Sequence, residues 1–297
     1  MKHIVYDCDN TFGVPGCDVD DGLAMIYLLG CESAVLHGIT ATYGNNQVDV
    51  VYDNIRRMLG DLGRADITVK KGGASKDEPV SEAAKYLAEM AGTYPGELSV
   101  LATGSLTNLK GAYMEDPQFF KNVKEIVLMG GITQPLVFDK KQMDELNFSC
   151  DPKASYLVLS KGRNVSVITG NNCLKVLFTR KEYAKELADN SNAMACYIRN
   201  ETDYWFGYNE EDYGIRGFYN WDVTAAVYLM HPELFTAGPE RFKFSEEDLQ
   251  TGFLRRDPAG PHVCILPEIG KEEPFKQNIY VTWRKVPVFN AKKGESR

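Results

Sequence analysis

The chain has 297 residues, of which 44% are hydrophobic and 25% charged, and its net charge at pH 7 is −8. This is an ordinary globular composition, and the chain is long enough to bury a large core. The acidic balance disfavours duplex nucleic acid, which demands a basic face, and no stretch reaches the ~20 apolar residues of a membrane span. We therefore expect neither a nucleic-acid nor a membrane partner.

The seven cysteines are scattered, and none forms a C-x-x-C pair. This usage is typical of reduced thiols in the cytoplasm and disfavours a zinc site, which needs clustered Cys and His. The chain starts directly with a strand-like segment rather than with the basic and apolar regions of a signal peptide. We therefore expect a cytoplasmic protein.

Strand-like and helix-like segments alternate through the first half of the chain. In chain order, the hydrophobic pattern predicts strands at 3–9, 35–43, 66–72, 98–104, 124–131 and 164–170. Helices are predicted between them, at 20–30, 48–63, 82–92, 106–114 and 151–162. Such alternation predicts βαβ units, and so an α/β fold with a mostly parallel central sheet flanked by helices, in a single domain over residues 1–297.

The second half has a different pattern. Residues 180–235 are predicted to be largely helical and rich in aromatic residues, with one helix at 220–230. After Pro239 the pattern is mixed, and short strands are predicted at 262–269 and 278–284.

Carboxylates and amides follow several of the predicted strands. Asp7 and Asp9 end the first strand, and Asp20 and Asp21 begin the next helix. The carboxyl ends of parallel strands meet at one edge, where ligands bind in such folds. Four crowded carboxylates would repel each other unless a cation neutralised them, and oxygen ligands suit Ca²⁺ or Mg²⁺.

The same acids allow a second interpretation. Asp7-x-Asp9-x-Thr11 has the form of the nucleophile motif in haloacid dehalogenase-type phosphatases, which use Mg²⁺. Thr103 could supply the hydroxyl of such a site, but no convincing lysine and no acid pair follow a later strand. A phosphatase is therefore the alternative enzyme.

An ordered set of motifs resembles the inosine–uridine-preferring nucleoside hydrolase family over roughly residues 3–235. The motifs are "DCDNTFGVPGCDVDDGLA" (7–24), "TATYGNN" (40–46), "TGSLTN" (103–108), "VLMGG" (127–131), "ELNFSCDP" (145–152) and "NWDVTAAVYL" (220–229). The resemblance implies a nucleoside hydrolase-like fold with a Rossmann-like core. It also implies hydrolysis of ribonucleosides to ribose and free base, a Ca²⁺ cofactor, and a homodimer or homotetramer.

The resemblance also implies a role for each matching residue. Asp9, Asp21 and Asp222 would ligate Ca²⁺ through their side chains, and Thr103 through its carbonyl oxygen. Asp9 would also be the general base toward the attacking water, and Asp7 would brace the cluster. The residues that would bind the substrate are Asp20, Asn45, Met129, Glu145, Asn147 and Trp221.

Three departures from the family pattern bear on specificity. About seven extra residues separate Asp9 from the Asp20–Asp21 pair, and they carry Asp18, which could displace an assigned ligand. Asp139 stands where relatives have an amide that binds the ribose. Trp221 stands where many relatives have a leaving-group histidine.

A tryptophan at this place resembles the purine-preferring branch of the family, in which it stacks on the base and is counted with the catalytic residues. The resemblance therefore favours purine nucleosides and a role in nucleoside catabolism and purine salvage. Tyr204, Trp205, Tyr208 or Tyr219 could supply a second stacking ring. A nucleoside- or sugar-binding protein without turnover is the alternative outside enzymes.

Overall fold

The computed structural model describes residues 1–289, and its centre is a nine-stranded sheet with the order β11-β10-β12-β8-β5-β4-β1-β2-β3. The strands are β1 Lys2–Cys8, β2 Ala34–Ala41, β3 Thr68–Lys71, β4 Leu98–Ala102, β5 Glu125–Met129, β6 Leu136–Val137, β7 Gln142–Met143, β8 Val165–Ile168, β9 Phe235–Thr236, β10 Pro239–Lys243, β11 Arg255–Arg256, β12 His262–Ile265 and β13 Glu268–Ile269. The β6–β7 and β9–β13 pairs form two small separate sheets.

The helices connect these strands and cover both faces of the sheet. They are α1 Asp20–Gly30, α2 Val48–Asp61, α3 Glu82–Thr93, α4 Thr107–Glu115, α5 Phe119–Asn122, α6 Pro152–Lys161, α7 Gly170–Cys173, α8 Arg180–Glu186, α9 Ala193–Asp212, α10 Trp221–Met230 and α11 Glu272–Trp283. None of the helices within residues 1–289 has the length and apolar character needed to cross a membrane.

The sheet is parallel from β12 to β3 and antiparallel only at the β10–β11 edge. Alternate residues of β1 enter two different cores, because successive side chains of a strand point to opposite faces. Tyr6 packs with α1, α2 and α9 to α11, whereas Val5 packs with α3, α4 and α6. The predicted α/β fold with a mostly parallel sheet flanked by helices is confirmed.

The predicted strand at 278–284 is wrong, because residues 278–283 belong to α11 and Arg284 caps its end. Its β-branched and aromatic residues favour a strand locally. However, Phe275, Ile279 and Trp283 recur every four residues and are fully buried, which places them on one face of a helix. The Trp283 indole N–H donates to the carbonyl of Leu23 at 3.0 Å, so α11 is fixed against α1.

The predicted strand at 262–269 is two strands, β12 and β13, that join different sheets. The β6–β7 hairpin was not predicted, since each of its strands has only two residues and leaves no periodic signal. The bounds of α1 agree with the prediction, and those of the other first-half elements agree within about two residues.

Candidate functional site

A cavity of about 540 Å³, partly open to solvent, lies at the carboxyl edge of the parallel strands. Its wall contains eight of the ten residues that the sequence analysis assigned: Asp20, Asn45, Thr103, Met129, Glu145, Asn147, Trp221 and Asp222. Asp9 and Asp21 are fully buried and are bonded to wall residues. The fold therefore brings all ten predicted site residues to one place.

Asp9 is held by the turn that follows β2. The Asn45 backbone N–H donates to Asp9 Oδ2 at 2.6 Å, and its side-chain amide donates to Asp9 Oδ1 at 3.3 Å. The same amide donates to Asp21 Oδ2 at 3.4 Å, so Asn45 bridges two carboxylates. A Cβ at Gly44 would collide with Asp9 Oδ2, which explains why this turn needs a residue without a side chain.

Asp20, Asp21 and Asp222 form the tightest acid group. One carboxylate oxygen from each lies within 4.8 Å of the others, and all three residues are buried. The Asp222 N–H donates to Asp20 Oδ2 at 3.0 Å, which joins the starts of α10 and α1. Thr103 Oγ1 donates to Asp21 Oδ1 at 2.6 Å. Helix N-termini favour carboxylates, so two helix starts support this group.

Burial dominates the electrostatics of the cluster. It raises the pKa of Asp9 to about 7 and the pKa of Asp20 to about 6, with neighbouring carboxylates adding to the rise. Burial, and then the charge of the nearest acid, also raises the pKa values of Asp21 and Asp222 well above the ordinary range. Burial and mutual repulsion thus disfavour the charged forms of these carboxylates, and a bound cation would stabilise those charged forms.

The donor set fits a hard divalent cation. The grouped donor atoms are carboxylate oxygens of Asp20, Asp21 and Asp222, which is the ligand chemistry that Ca²⁺ and Mg²⁺ prefer. Thr103, which was expected to add its carbonyl oxygen, lies in the same cavity wall. The Thr103 carbonyl already accepts the Asn147 side-chain amide at 3.0 Å, but a carbonyl oxygen has two lone pairs and can accept a second contact. The buried aspartates are therefore consistent with a metal site.

Asp7 lies behind the cluster and ties three elements together. Its Oδ1 accepts Thr40 Oγ1 from β2 at 2.5 Å and the Asn108 side-chain amide from α4 at 2.8 Å. Its buried Oδ2 has no hydrogen-bond partner among the described residues. Burial raises the pKa of Asp7 to about 7. This geometry agrees with the bracing role expected for Asp7.

Both carboxylate oxygens of Glu145 accept hydrogen bonds from backbone N–H groups. Its Oε1 accepts the N–H groups of Gly131 at 2.9 Å and Phe148 at 2.8 Å, and its Oε2 accepts the N–H of Ser149 at 2.9 Å. Burial nevertheless raises the pKa of this carboxyl. Glu145 thus fixes the loop that carries Asn147, whose amide donates to the carbonyls of both Thr103 and Met129 at 3.0 Å.

Asp18, the acid of the inserted segment, also lies in the cavity wall. Its Oδ1 accepts the N–H of Val19 at 2.6 Å, and its carboxyl contacts that of Asp20. Asp139, by contrast, is not in the wall and lies against Gly214. The cavity is instead lined by the neighbouring Asp144, which the sequence analysis did not single out.

Trp221 is the aromatic residue of the described cavity wall, and its ring centroid lies 5.1 Å from that of Tyr219. The other proposed stacking rings lie elsewhere: Trp205 stacks on Tyr208 at 4.7 Å, and the Tyr204 hydroxyl binds the loop before α1. The apolar part of the wall includes Ile132, Leu136, Met143 and Leu146. Sequence periodicity could not reveal these residues, which lie in or beside the short β6–β7 hairpin.

The comparisons with known proteins agree with this geometry. Residues 4–275 match the family model described as inosine-uridine preferring nucleoside hydrolase. Over 264 residues, the chain is 28% identical to the probable uridine nucleosidase 2 of Arabidopsis thaliana, covering 79% of each. It is 25% identical over 261 residues to the pyrimidine-specific ribonucleoside hydrolase RihA of Salmonella newport, covering 78% of this chain and 81% of that one.

Solved structures show the same fold. A plant nucleoside hydrolase, the PpNRh1 enzyme, superposes with a TM-score of 0.84 at 21% identity, covering 95% of this chain and 99% of that one. The purine-preferring ribonucleoside hydrolase from Gardnerella vaginalis gives 0.82 at 22% identity, covering 96% and 99%. The family match spans most of the chain. The protein therefore belongs to the inosine-uridine preferring nucleoside hydrolase family, and it is a hydrolase that acts on N-glycosyl compounds.

Proposed function

We propose that this protein is a calcium-dependent ribonucleoside hydrolase that prefers purine nucleosides and releases ribose and the free base. The observation that carries the proposal is the group of buried aspartates, Asp9, Asp20, Asp21 and Asp222, at a cavity that Trp221 also lines. Several carboxylates at one site can stabilise a cationic transition state, and the indole ring offers a surface on which a flat base can stack.

Cleavage of an N-glycosidic bond passes through a ribosyl cation that resembles an oxocarbenium ion. Carboxylates beside the sugar stabilise that charge most when they are fixed in advance. When bound, Ca²⁺ would lower the pKa of a water molecule and hold the site's carboxylates in their charged form. Asp9 would take the proton of the attacking water, and the two hydrogen bonds from Asn45 orient it for that task.

Asp20 and Asn45 are the proposed contacts for the ribose hydroxyls. Both lie in the cavity wall, and both are tied to the aspartate group. The Asp222 N–H donates to one oxygen of Asp20, and a ribose hydroxyl would donate to the same carboxylate group. Asn147 and Met129, which are bonded to each other, would lie on the other side of the sugar. These fixed contacts would orient the anomeric carbon toward the water.

The purine preference rests on Trp221, whose indole offers a broad stacking surface in the wall. Relatives at 24–28% identity have names that point to pyrimidines, such as the uridine nucleosidases and RihA. The Gardnerella vaginalis protein, at 22% identity, is named as purine-preferring. At these identities neither set of names decides the base, so the purine preference is proposed from the presence of Trp221 in the cavity wall.

The test is reducing-sugar release from inosine, adenosine, guanosine, uridine and cytidine, with Ca²⁺ or with EGTA. We expect faster release from the purines and none after chelation. Faster release from uridine or cytidine would overturn the purine preference and keep the hydrolase. If no nucleoside released sugar with Ca²⁺, but a phosphomonoester released phosphate with Mg²⁺, the phosphatase assignment would replace the hydrolase assignment.

We also propose a homodimer or homotetramer that works in the cytoplasm. All seven cysteines are free, which agrees with a reducing compartment. Light scattering coupled to size-exclusion chromatography measures the mass of the assembly. A mass of about 33 kDa, that of one chain, would overturn the oligomer.

A further inference from the structure

Helix α10 begins with an asparagine that does not cap it. Asn220 is the N-cap residue, directly before Trp221 and Asp222, and its side chain makes no hydrogen bond to the helix start. Asparagine is one of the strongest N-cap residues, because its side-chain oxygen accepts the N–H of the second or third helical residue. In α10 these are the N–H groups of Asp222 and Val223. Asn220 thus lacks the bond that its residue type usually makes at this place.

Two other helices of the chain show the usual arrangement. Asn192 is the N-cap residue of α9, and its Oδ1 accepts the Ala195 N–H at 2.9 Å. Asp151 caps α6 in the same way with a ψ of 83°, close to the 75° of Asn220. The ψ angle of Asn220 therefore does not by itself prevent capping, and the reason lies in the surroundings of its side chain.

A carboxyl group from another helix binds the start of α10 instead. Asp20 Oδ2, from α1, accepts the Asp222 N–H at 3.0 Å. Asp222 is the second residue of α10, so Asp20 takes the place that the oxygen of a cap residue would otherwise have. A capping side chain at position 220 would compete with Asp20 for this helix start. The side chain of Asn220 must therefore lie elsewhere if Asp20 is to keep its bond.

Tyr183 holds the Asn220 side chain away from the helix start. The side-chain amide of Asn220 donates to the Tyr183 hydroxyl at 3.2 Å. The other polar atom of this side chain, Oδ1, is buried and has no hydrogen-bond partner among the described residues. A buried carbonyl oxygen without a partner is unfavourable, and such a group in a folded protein needs an explanation. The bond between Asp222 and Asp20 provides that explanation.

Both partners of this hydrogen bond are firmly held. The buried Tyr183 ring lies against five aromatic rings at centroid distances of 5.3 to 6.1 Å, namely Phe178, Phe206, Phe218, Tyr280 and Trp283. The Asn220 carbonyl accepts both the Thr224 N–H at 3.0 Å and Thr224 Oγ1 at 2.7 Å. The hydrogen bond thus joins a packed ring to a fixed helix start.

We propose, on the basis of the hydrolase function above, that Tyr183 and Asn220 are positioning residues for Asp20. Because Tyr183 holds the Asn220 amide, the Asp222 N–H remains available to Asp20, and this bond fixes the carboxyl group that would contact the ribose. Neither positioning residue is among the described residues of the cavity wall. They act on the reaction through Asp20 and the start of α10, without touching the substrate.

The main test compares two small residues at position 220. Ser and Ala both remove the amide that Tyr183 holds, but only Ser can cap a helix. The assay uses the full chain with Ca²⁺ and whichever of the five nucleosides above the wild type hydrolyses fastest. We expect kcat/KM of Asn220→Ser to be about fivefold below that of Asn220→Ala, the effect of one misplaced hydrogen bond.

Urea unfolding of the same two variants in EGTA separates positioning from stability. Asn220→Ser should unfold at a urea concentration no lower than Asn220→Ala, because it gains a cap. A merely structural role would instead make the less stable variant the less active one. Asn192→Ser and Asn192→Ala form the matched control pair at the start of α9, and their kcat/KM values should be equal.

Tyr183→Phe tests the other partner. This change removes only the hydroxyl and frees the Asn220 side chain to cap α10, so kcat/KM should again fall about fivefold. Combining it with Asn220→Ala should return kcat/KM to within about twofold of Asn220→Ala alone, because no side chain then competes with Asp20. This recovery is the result expected if Tyr183 acts through Asn220.

The outcomes separate this inference from the function on which it rests. Equal kcat/KM for the two variants at position 220, with normal turnover by the wild type, would overturn the inference and leave the hydrolase intact. A double variant no more active than Tyr183→Phe would do the same, as would a fivefold difference between the Asn192 variants. If the folded wild type with Ca²⁺ hydrolysed none of the five nucleosides, the hydrolase function and the positioning roles would both be overturned.

Discussion

Two regions of the molecule bury carboxylates, and they satisfy them in opposite ways. In the segment that leads into α6, Glu145 accepts three backbone N–H groups. Asp151 accepts the Ala154 N–H at 3.0 Å, Thr107 Oγ1 at 2.9 Å and Lys110 Nζ at 2.6 Å. Each charge there has partners from the chain itself.

The aspartates at the end of β1 and at the starts of α1 and α10 accept hydrogen bonds from a few neutral donors, but they also lie close to one another. Asp9, Asp20, Asp21 and Asp222 are fully or almost fully buried, and the charges of neighbouring acids add to the rise of their pKa values. Carboxylates whose charge is balanced by hydrogen-bond donors or cations of the chain stabilise the fold. Crowded carboxylates without that balance need an external cation. The comparison therefore predicts which acids serve stability and which serve the reaction.

Replacing Asp21 should have the largest effect on activity. Asp21→Asn removes one charge from the centre of the cluster, and we expect kcat/KM for inosine to fall about 100-fold to 1000-fold, as when one fixed electrostatic group is lost from a site. Steady-state kinetics with saturating Ca²⁺ measures the loss. Asp53→Asn serves as the surface control. Near-normal activity of the Asp21 variant would show that the reaction does not depend on this carboxylate.

Calcium should stabilise the cluster and not the Glu145 segment. Ca²⁺ at about 1,000 times its dissociation constant adds about 4 kcal/mol to the free energy of unfolding, if it binds only the folded state. Urea unfolding of the wild type in Ca²⁺ and in EGTA measures this gain. Asp21→Asn should lose most of it. Equal midpoints for the wild type in both buffers would contradict a calcium site.

Glu145→Gln should cost stability whether or not calcium is present. The new amide places an N–H₂ group against backbone donors that the carboxylate accepted, and we expect a loss of about 2 kcal/mol in the free energy of unfolding. Urea unfolding in EGTA tests this, with the exposed Glu89→Gln of α3 as control. A loss that appeared only in Ca²⁺ would assign Glu145 to the metal site instead.

The smallest effect concerns Asp7 and pH in metal-free protein. The pKa of Asp7 is about 7 when folded, above the value of about 4 for an exposed aspartate, so folding takes up a proton near pH 6. The stability from this protonated group is fully present below about pH 4, the unfolded pKa, and is lost as pH rises from there through about 7, the folded pKa. Relative to Asp7→Asn, the wild type should lose about 1 kcal/mol between pH 6 and pH 8.

Urea unfolding of both proteins in EGTA at several pH values gives this difference. The Asn variant resembles the protonated acid and does not titrate, so it subtracts the contribution of every other group. A difference that stays constant from pH 6 to pH 8, or that changes in the opposite direction, would show that Asp7 is already charged in the folded protein.

Much of the local structure follows from the sequence. The bounds of α1 were predicted because an acid pair precedes an apolar run, and the alternation of periods predicted the parallel sheet. The prediction of a strand at 278–284 was wrong because the residue types there favour a strand, whereas burial against α1 favours a helix. Local preference is weak compared with the burial of Phe275 and Trp283.

The sequence by itself determined the types and order of the site residues, because acids and amides follow strand ends at spacings that the chain displays. Only the tertiary structure decided which of them meet. Thr103 and Asp21 bond across 82 residues, and Asp222 and Asp20 across 202. The tertiary structure also decided that the Glu145 carboxylate accepts backbone N–H groups and that Asp18 lines the cavity. Such contacts depend on how distant strands and helices pack, and no local pattern of residues encodes them.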